Sequence, residues 1–326
     1  MKRNVLLIGL LTVVLMTAGM MPASAADYSI KIGGGPTGGT FNTFTNAMAV
    51  YVPKVNSNIQ ASSVGSGGSV ENVKRVHNGE SDFGLCYAVD SALGFRGQLP
   101  QDTHKYNKLR SMGYLYGAPA QLIVRADSEF KSAYDLKGKR VAVGNAGSGA
   151  AASAERFFRH IGVWDNFKPT FMGYSAAASA FKDGKIDAFW VLVGYPNSSV
   201  IEASVQVKIR LIDVGVDAEK SGFYEAFAYA PTVIPAGTYG KNMPACKSFQ
   251  DSCILSTNAD QPEDLVYTIM KTLWSKAGME AMVMAKKTFK EMNMENAFNG
   301  ASVPLHPGAV KFWKEQGKSI PEKLLP

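Results

Sequence analysis

The chain has 326 residues, 46% of them hydrophobic, and a formal net charge of +7; that is enough for one large domain or two lobes, at the apolar content of an ordinary folded protein. Its Lys and Arg are scattered, and the densest cluster, Lys137-Gly138-Lys139-Arg140, reads as a solvated turn before a strand, which argues against a nucleic-acid partner. His77, His104, His160 and His306 are far apart and form no array with the three Cys, so no metal site is expected.

The chain opens with Lys2 and Arg3, then the apolar run Val5 to Met21, then Ala23-Ser24-Ala25. A basic start, an apolar stretch and an A-x-A site are the parts of a secretory signal peptide. Residues 1–25 are therefore expected to be removed, which takes the charge from +7 to +5 as Lys2 and Arg3 leave. No Cys follows the apolar run to accept a lipid, and no later segment is long and apolar enough to span a bilayer. The expected product is soluble and periplasmic.

From there strands and helices alternate. Tyr28 to Ile32 reads as a strand and Thr40 as the cap of a helix over Phe41 to Val55, with Phe44, Met48 and Tyr51 on one face. Ile59 to Val64 is a strand, Ser69 caps a helix striped by Val70, Val73 and Val76, and Phe83 to Cys86 is a third strand. Ala120 to Arg125 is a strand, as is Arg140 to Gly144, followed by a helix over Ala151 to His160. Thr170 to Gly173 is a short strand, Ser175 caps a helix to Lys182, and Ile186 to Val193 is a strand. Gly194-Tyr195-Pro196 opens a helix, Ile209 to Val214 is a strand, and Thr232 to Thr238 is a crossing segment. Pro262 to Ala277, Ala281 to Lys290 and Gly308 to Gln316 read as helices. This alternation predicts an α/β protein with largely parallel sheets. Two similar strand–helix sets predict two lobes: residues 26–119 with 232–326, and residues 120–231.

Gly and hydroxyl residues recur where strands give way to helices. These are Thr37, Gly38, Gly39 and Thr40; Ser66, Gly67, Gly68 and Ser69; Gly147, Ser148 and Gly149; Ser175; and Gly194 with Tyr195. Gly lets backbone approach a ligand, and free N–H groups at a helix start favour anions. Any one such loop is also an ordinary helix cap. Five of them, at strand ends facing a cleft between lobes, form a candidate ligand site.

Two enzymatic patterns fail on inspection. Gly33, Gly35 and Gly38 fit G-x-G-x-x-G, but Pro36 lies inside the motif and no acid stands near positions 57 to 64 to hold a ribose. Gly173-Tyr174-Ser175-Ala176-Ala177 misses G-x-S-x-G at its last position, and nothing marks a His as a triad member. No enzymatic activity and no cofactor are expected. Cys246 and Cys253 are spaced to allow a disulfide across a small loop and equally to remain free thiols, while Cys86 reads as a small buried hydrophobe.

In this order the residues Ile32 to Thr40, Ser69-Val70-Glu71-Asn72-Val73, Ile123 to Ser128, Leu136 to Arg140, Val143 to Gly149, Lys182 to Phe189, Gly194-Tyr195-Pro196, Ile234 to Tyr239 and Pro304 to Ala309 resemble the TAXI family of solute-binding proteins, which serve TRAP-type transporters. The resemblance implies a type II-like, two-lobed periplasmic-binding-protein fold that closes on its solute. It implies delivery of a small carboxylate, such as an amino acid or a dicarboxylic acid, to an ion-driven TRAP permease; the chain is expected to be a monomer. It also implies ligand contacts at Thr37 to Phe41, Tyr87, Gly147 to Gly149, Ser175, Gly194 and Tyr195. Ser66 and Gly67 join from the second loop, and Tyr116 and Trp190 are added as cleft aromatics. Tyr87-Ala88-Val89 stands where many members carry Gln-Ser-Asp, Ala150 where many carry Thr, and Ala176 to Ala178 where many carry an acid. The cleft is thus expected to be less polar than usual and to take a ligand with one anionic end and an apolar or aromatic body. A ligand-sensing subunit for a signalling receptor would look the same in sequence.

Overall fold

Ten strands form one continuous sheet in the order β2-β1-β3-β10-β4-β7-β5-β6, with β8 also paired to β4 and β9 to β10. This is a computed structural model that describes residues 27–100 and 102–326; the predicted signal peptide lies outside them. The first lobe begins with β1 (Tyr28–Gly33), α1 (Thr40–Val55), β2 (Ile59–Val64), α2 (Ser69–His77), β3 (Phe83–Tyr87) and α3 (Ala88–Arg96). Strand β4 (Leu109–Arg125) then carries the chain across. The second lobe holds β5 (Arg140–Gly144), α4 (Gly149–His160), β6 (Lys168–Phe171), α5 (Tyr174–Lys182), β7 (Ala188–Leu192), α6 (Ser198–Gln206), β8 (Ile209–Ile212), α7 (Val214–Ser221) and α8 (Phe223–Ala226). The hairpin of β9 (Ala230–Ile234) and β10 (Cys246–Asn258) returns to the first lobe, which α9 (Glu263–Leu273), α10 (Lys276–Ala285) and α11 (Pro307–Glu315) complete.

The local pattern explains most of these elements. Ile30 and Ile32 alternate into the core from β1, and α1 buries Phe41, Phe44, Met48 and Val52, a stripe at helical spacing. His306 caps α11 by accepting from the Gly308 N–H at 3.1 Å, with Pro307 as the first helical residue.

The central strands are where structure and sequence expectation part. Strand β4 runs unbroken for 17 residues, not six. Its first half pairs with β10 from Leu109 to Pro119, and its second half pairs with β7 and β8 from Ala120 to Arg125. The expected lobe boundary at 119/120 therefore falls inside a strand, and that at 231/232 falls inside β9, where a crossing segment was expected. Burial on both faces gives β4 and β10 no alternation to read. Cys246 and Cys253 both lie in the extended strand β10 and are free, as is Cys86. Seven strand residues span about 23 Å, which rules out a disulfide between them.

Candidate functional site

Loops from both lobes close tightly over a cavity of about 30 Å³, room for a water or two and far below the usual size of an open ligand pocket. The first lobe contributes Pro36, Gly39, Thr40, Phe41, Gly67, Gly68, Ser69 and Tyr87. The second contributes Asn145, Ser148, Gly149, Ala150, Gly173, Tyr174 and Val193. Four of these residues are N-caps: Gly39 of α1, Gly68 of α2, Ser148 of α4 and Gly173 of α5. Four helix N-termini, two from each lobe, thus converge on one cavity.

Side chains do little to neutralise them. No residue in the lining carries a charged side chain. Helices α1, α4 and α5 have no acid in the first turn, and α1, α2 and α5 have no side-chain cap. The exception in the first turns is Glu71 of α2, which accepts from the Gly67 N–H at 2.7 Å and pairs with Arg75 at 2.6 Å. The positive ends of four helix dipoles therefore face the cavity, an arrangement that favours negative charge, although the N–H groups of Gly39, Gly67, Gly68 and Ser148 are already bonded within the chain. Thr40 strengthens this. It is the first residue of α1, not the cap expected from the sequence, and its hydroxyl is buried without a partner. The Phe41 and Tyr87 rings, with centroids 4.8 Å apart, supply an apolar wall. Burial raises the Tyr87 and Tyr174 pKa values, so both phenols stay protonated.

The lobes meet around the cavity. The Tyr87 hydroxyl donates to the Leu192 carbonyl at 2.6 Å, the Glu71 N–H donates to the Gly147 carbonyl at 3.2 Å, and the Asn197 amide donates to the Gly38 carbonyl at 3.1 Å. Gly149 has to be glycine because the lobes approach so closely there: a Cβ would overlap the Tyr87 ring and come within 2.8 Å of Asp90 Oδ2. Gly68, at φ +131°, faces Ser148 across the gap.

Behind Gly149 lies a buried charge cluster. Asp90 of α3 pairs with Arg156 of α4, and their side chains are 1% and 4% exposed. The Tyr229 hydroxyl accepts from Arg156 Nη1 at 2.6 Å. Burial and the Asp90 charge push the Asp251 carboxyl up to about 8, so it holds a proton at neutral pH. Burial opposes the charge of Arg156, but Tyr229 and Asp90 outweigh it and keep the guanidinium protonated.

Among the residues expected at the site, Gly39, Thr40, Phe41, Gly67, Tyr87, Ser148 and Gly149 line the cavity. Thr37 is exposed, and Gly38 and Gly147 turn their carbonyls to the opposite lobe. The Ser66 hydroxyl donates to the Gly34 carbonyl, and Ser175 meets Ser199 at 3.3 Å. Gly194 packs on Thr288 and Tyr116, and the Tyr195 carbonyl accepts from the Thr288 hydroxyl. The two added aromatics are core residues. Trp190 is fully buried, stacks on Phe157 and donates to Ser153, while Tyr116 is fully buried with its edge to Phe289. Alternate strand residues face opposite sides, and these two face the packed interior. Tyr174, Asn145 and Val193 were not anticipated. Helix α5 starts at Tyr174, so Gly173 holds the cap position expected of Ser175 and Tyr174 lines the cavity.

Matched against known proteins, residues 32–317 fit the model of the NMT1-like family, and the chain belongs to that family. Among solved structures it is similar to the periplasmic aliphatic sulphonate binding protein SsuA from Escherichia coli. The two are 15% identical over 88% of this chain and 83% of that one, with a TM-score of 0.49. It is similar to the alkanesulfonate-binding protein SsuA from Xanthomonas axonopodis pv. citri bound to MOPS (14% identity, 88% and 90% covered, TM-score 0.48). It is also similar to a putative L-cystine ABC transporter from Listeria monocytogenes (13% identity, 80% and 95% covered, TM-score 0.48).

Proposed function

With membership of the NMT1-like family as the premise, we propose that this chain is an exported solute-binding subunit. It captures a small organic anion between its lobes and delivers it to a membrane permease. The observation that carries this reading is the convergence of four helix N-termini on a cavity with no charged side chain in its lining. Such a site attracts negative charge through the positive ends of the helix dipoles. Each lobe supplies two of the four helices. A ligand held by both lobes favours the closed arrangement by its contacts there. The anion rests against Gly39, Thr40, Gly67, Gly68, Ser148, Gly149 and Gly173, and an apolar or aromatic body rests against Phe41 and Tyr87.

The resemblance to the TAXI family extends the reading to a TRAP-type permease, a periplasmic location and a monomeric chain that performs no chemistry on its solute. Among the described residues no helix is long and apolar enough to cross a membrane. The test is a thermal-shift screen of the chain lacking residues 1–25, unfolded and refolded to strip ligand. The panel spans carboxylates, sulfonates, aromatic acids, amino acids and sugars. Ligand at about 100 times its dissociation constant adds roughly 2.7 kcal/mol, a shift of a few degrees at this size. Selective response to acids supports the reading; response only to sugars overturns it.

A further inference from the structure

We infer that the cavity excludes zwitterions: its ligand is an anion without an ammonium group, and the amino analogue of the same skeleton is rejected. The inference rests on the solute-binding reading and names the class of solute within it. It follows from the charge that the lining can offer, since no carboxylate is part of it. An ammonium group brings three donors and needs acceptors or a carboxylate once water is removed.

The hydroxyls of the lining are partly engaged, and none of them carries a charge. Ser148 Oγ accepts from the Ala151 N–H at 3.0 Å, and Ser69 Oγ accepts from the Tyr87 N–H at 2.8 Å. Tyr87 and Tyr174 both direct their hydroxyls to the Leu192 carbonyl, at 2.6 and 3.0 Å. Among them only the Thr40 hydroxyl, 1% exposed, has no partner, and every acceptor the lining can offer is neutral.

The two nearby carboxylates are also unsuited. Glu71 is held by the Gly67 N–H and Arg75. Asp90 is paired to Arg156 through Oδ1, and its unpartnered Oδ2 lies behind Gly149, outside the lining. An ammonium group would therefore sit dehydrated without a counter-charge and face the positive ends of four helices. Both effects oppose it. An anion meets the opposite situation: Thr40 gains the acceptor it lacks, and negative charge meets the positive ends of the helices.

The test is calorimetric titration of the refolded chain lacking residues 1–25 with matched pairs. These are 4-methyl-2-oxopentanoate and leucine, 3-phenylpropanoate and phenylalanine, and propanesulfonate and 3-aminopropanesulfonate. The acid of the best-binding pair is expected to bind at least about 100-fold more tightly than its amino partner. Thr40→Val, which keeps the shape and removes the hydroxyl, is expected to weaken that acid about tenfold or more. An amino partner that binds within about tenfold of its acid, or tighter, overturns the inference and leaves solute binding intact. If no pair binds, mass spectrometry of the molecule released by denaturing the protein as isolated decides. An ammonium-free anion supports the inference and an ammonium-bearing solute overturns it. Release of no anion overturns both the inference and the anion reading of the cavity.

Discussion

The cavity and the charge cluster behind it stand on either side of Gly149 and handle buried charge in opposite ways. On the cavity side, four helix N-termini offer partial positive charge with almost no side chain to answer it. On the other side, Asp90, Arg156, Tyr229 and a protonated Asp251 answer one another. On the proposed reading an anion completes the first arrangement; the second is paired within the chain through Asp90 Oδ1 and Arg156, although Asp90 Oδ2, Arg156 Nε and Asp251 Oδ2 are left without partners. The candidate site therefore offers partial charge from backbone, and full side-chain charges are kept where they join the lobes.

The largest test of this contrast is Arg156→Met. It leaves Asp90 buried without its partner and is expected to lower stability by about 3–5 kcal/mol in urea unfolding. Adding Asp90→Asn should restore much of that loss; a single variant as stable as the parent would show that the cluster is not self-contained. Asp251→Asn is next. The folded carboxyl is raised to about 8 from 3.8, so the protonated form contributes stability that is full below the unfolded value and is lost as pH rises through the folded one. Relative to Asp251→Asn, the parent should lose on the order of a few kcal/mol between about pH 4 and pH 8 and change little outside that window. A difference that is flat with pH would place the proton elsewhere.

Gly149→Ala moves the test to the shared wall. Its methyl overlaps Tyr87 and crowds Asp90, so ligand affinity should fall by about 1–3 kcal/mol in calorimetry, the usual cost of overpacking. The smallest effect should come from Ser198→Ala. Its exposed hydroxyl lies 3.4 Å from the Gly38 carbonyl, and both stability and affinity should move by less than about 0.5 kcal/mol. A larger change would mean that rim contacts between the lobes carry weight that the cavity was thought to carry.

Much of the site was readable before the fold was known because its chemistry is local. A Gly or Ser between a strand and a helix signals a helix start, and Gly39, Thr40, Gly67, Ser148 and Gly149 were found in that way. Errors of one residue had consequences: Thr40 and Ser69 were expected as caps, but Gly39 and Gly68 hold those positions. That frees the Thr40 hydroxyl for a ligand and gives the Ser69 hydroxyl to the Tyr87 N–H. Trp190 and Tyr116 were misplaced because an aromatic on a buried strand carries no mark of which face meets the cleft.

By itself, the sequence determined the α/β alternation, the outer strands, the helix starts and the glycine loops, since each depends on residues a few positions apart. Only the tertiary structure decided that β4 and β10 run between the lobes, that Cys246 and Cys253 lie far apart on one strand, and that Asp90 meets Arg156. Those features arise from pairings between distant segments. Residues buried on both faces lose the periodicity that reveals exposed elements, and a charge pair 66 positions apart leaves no local trace.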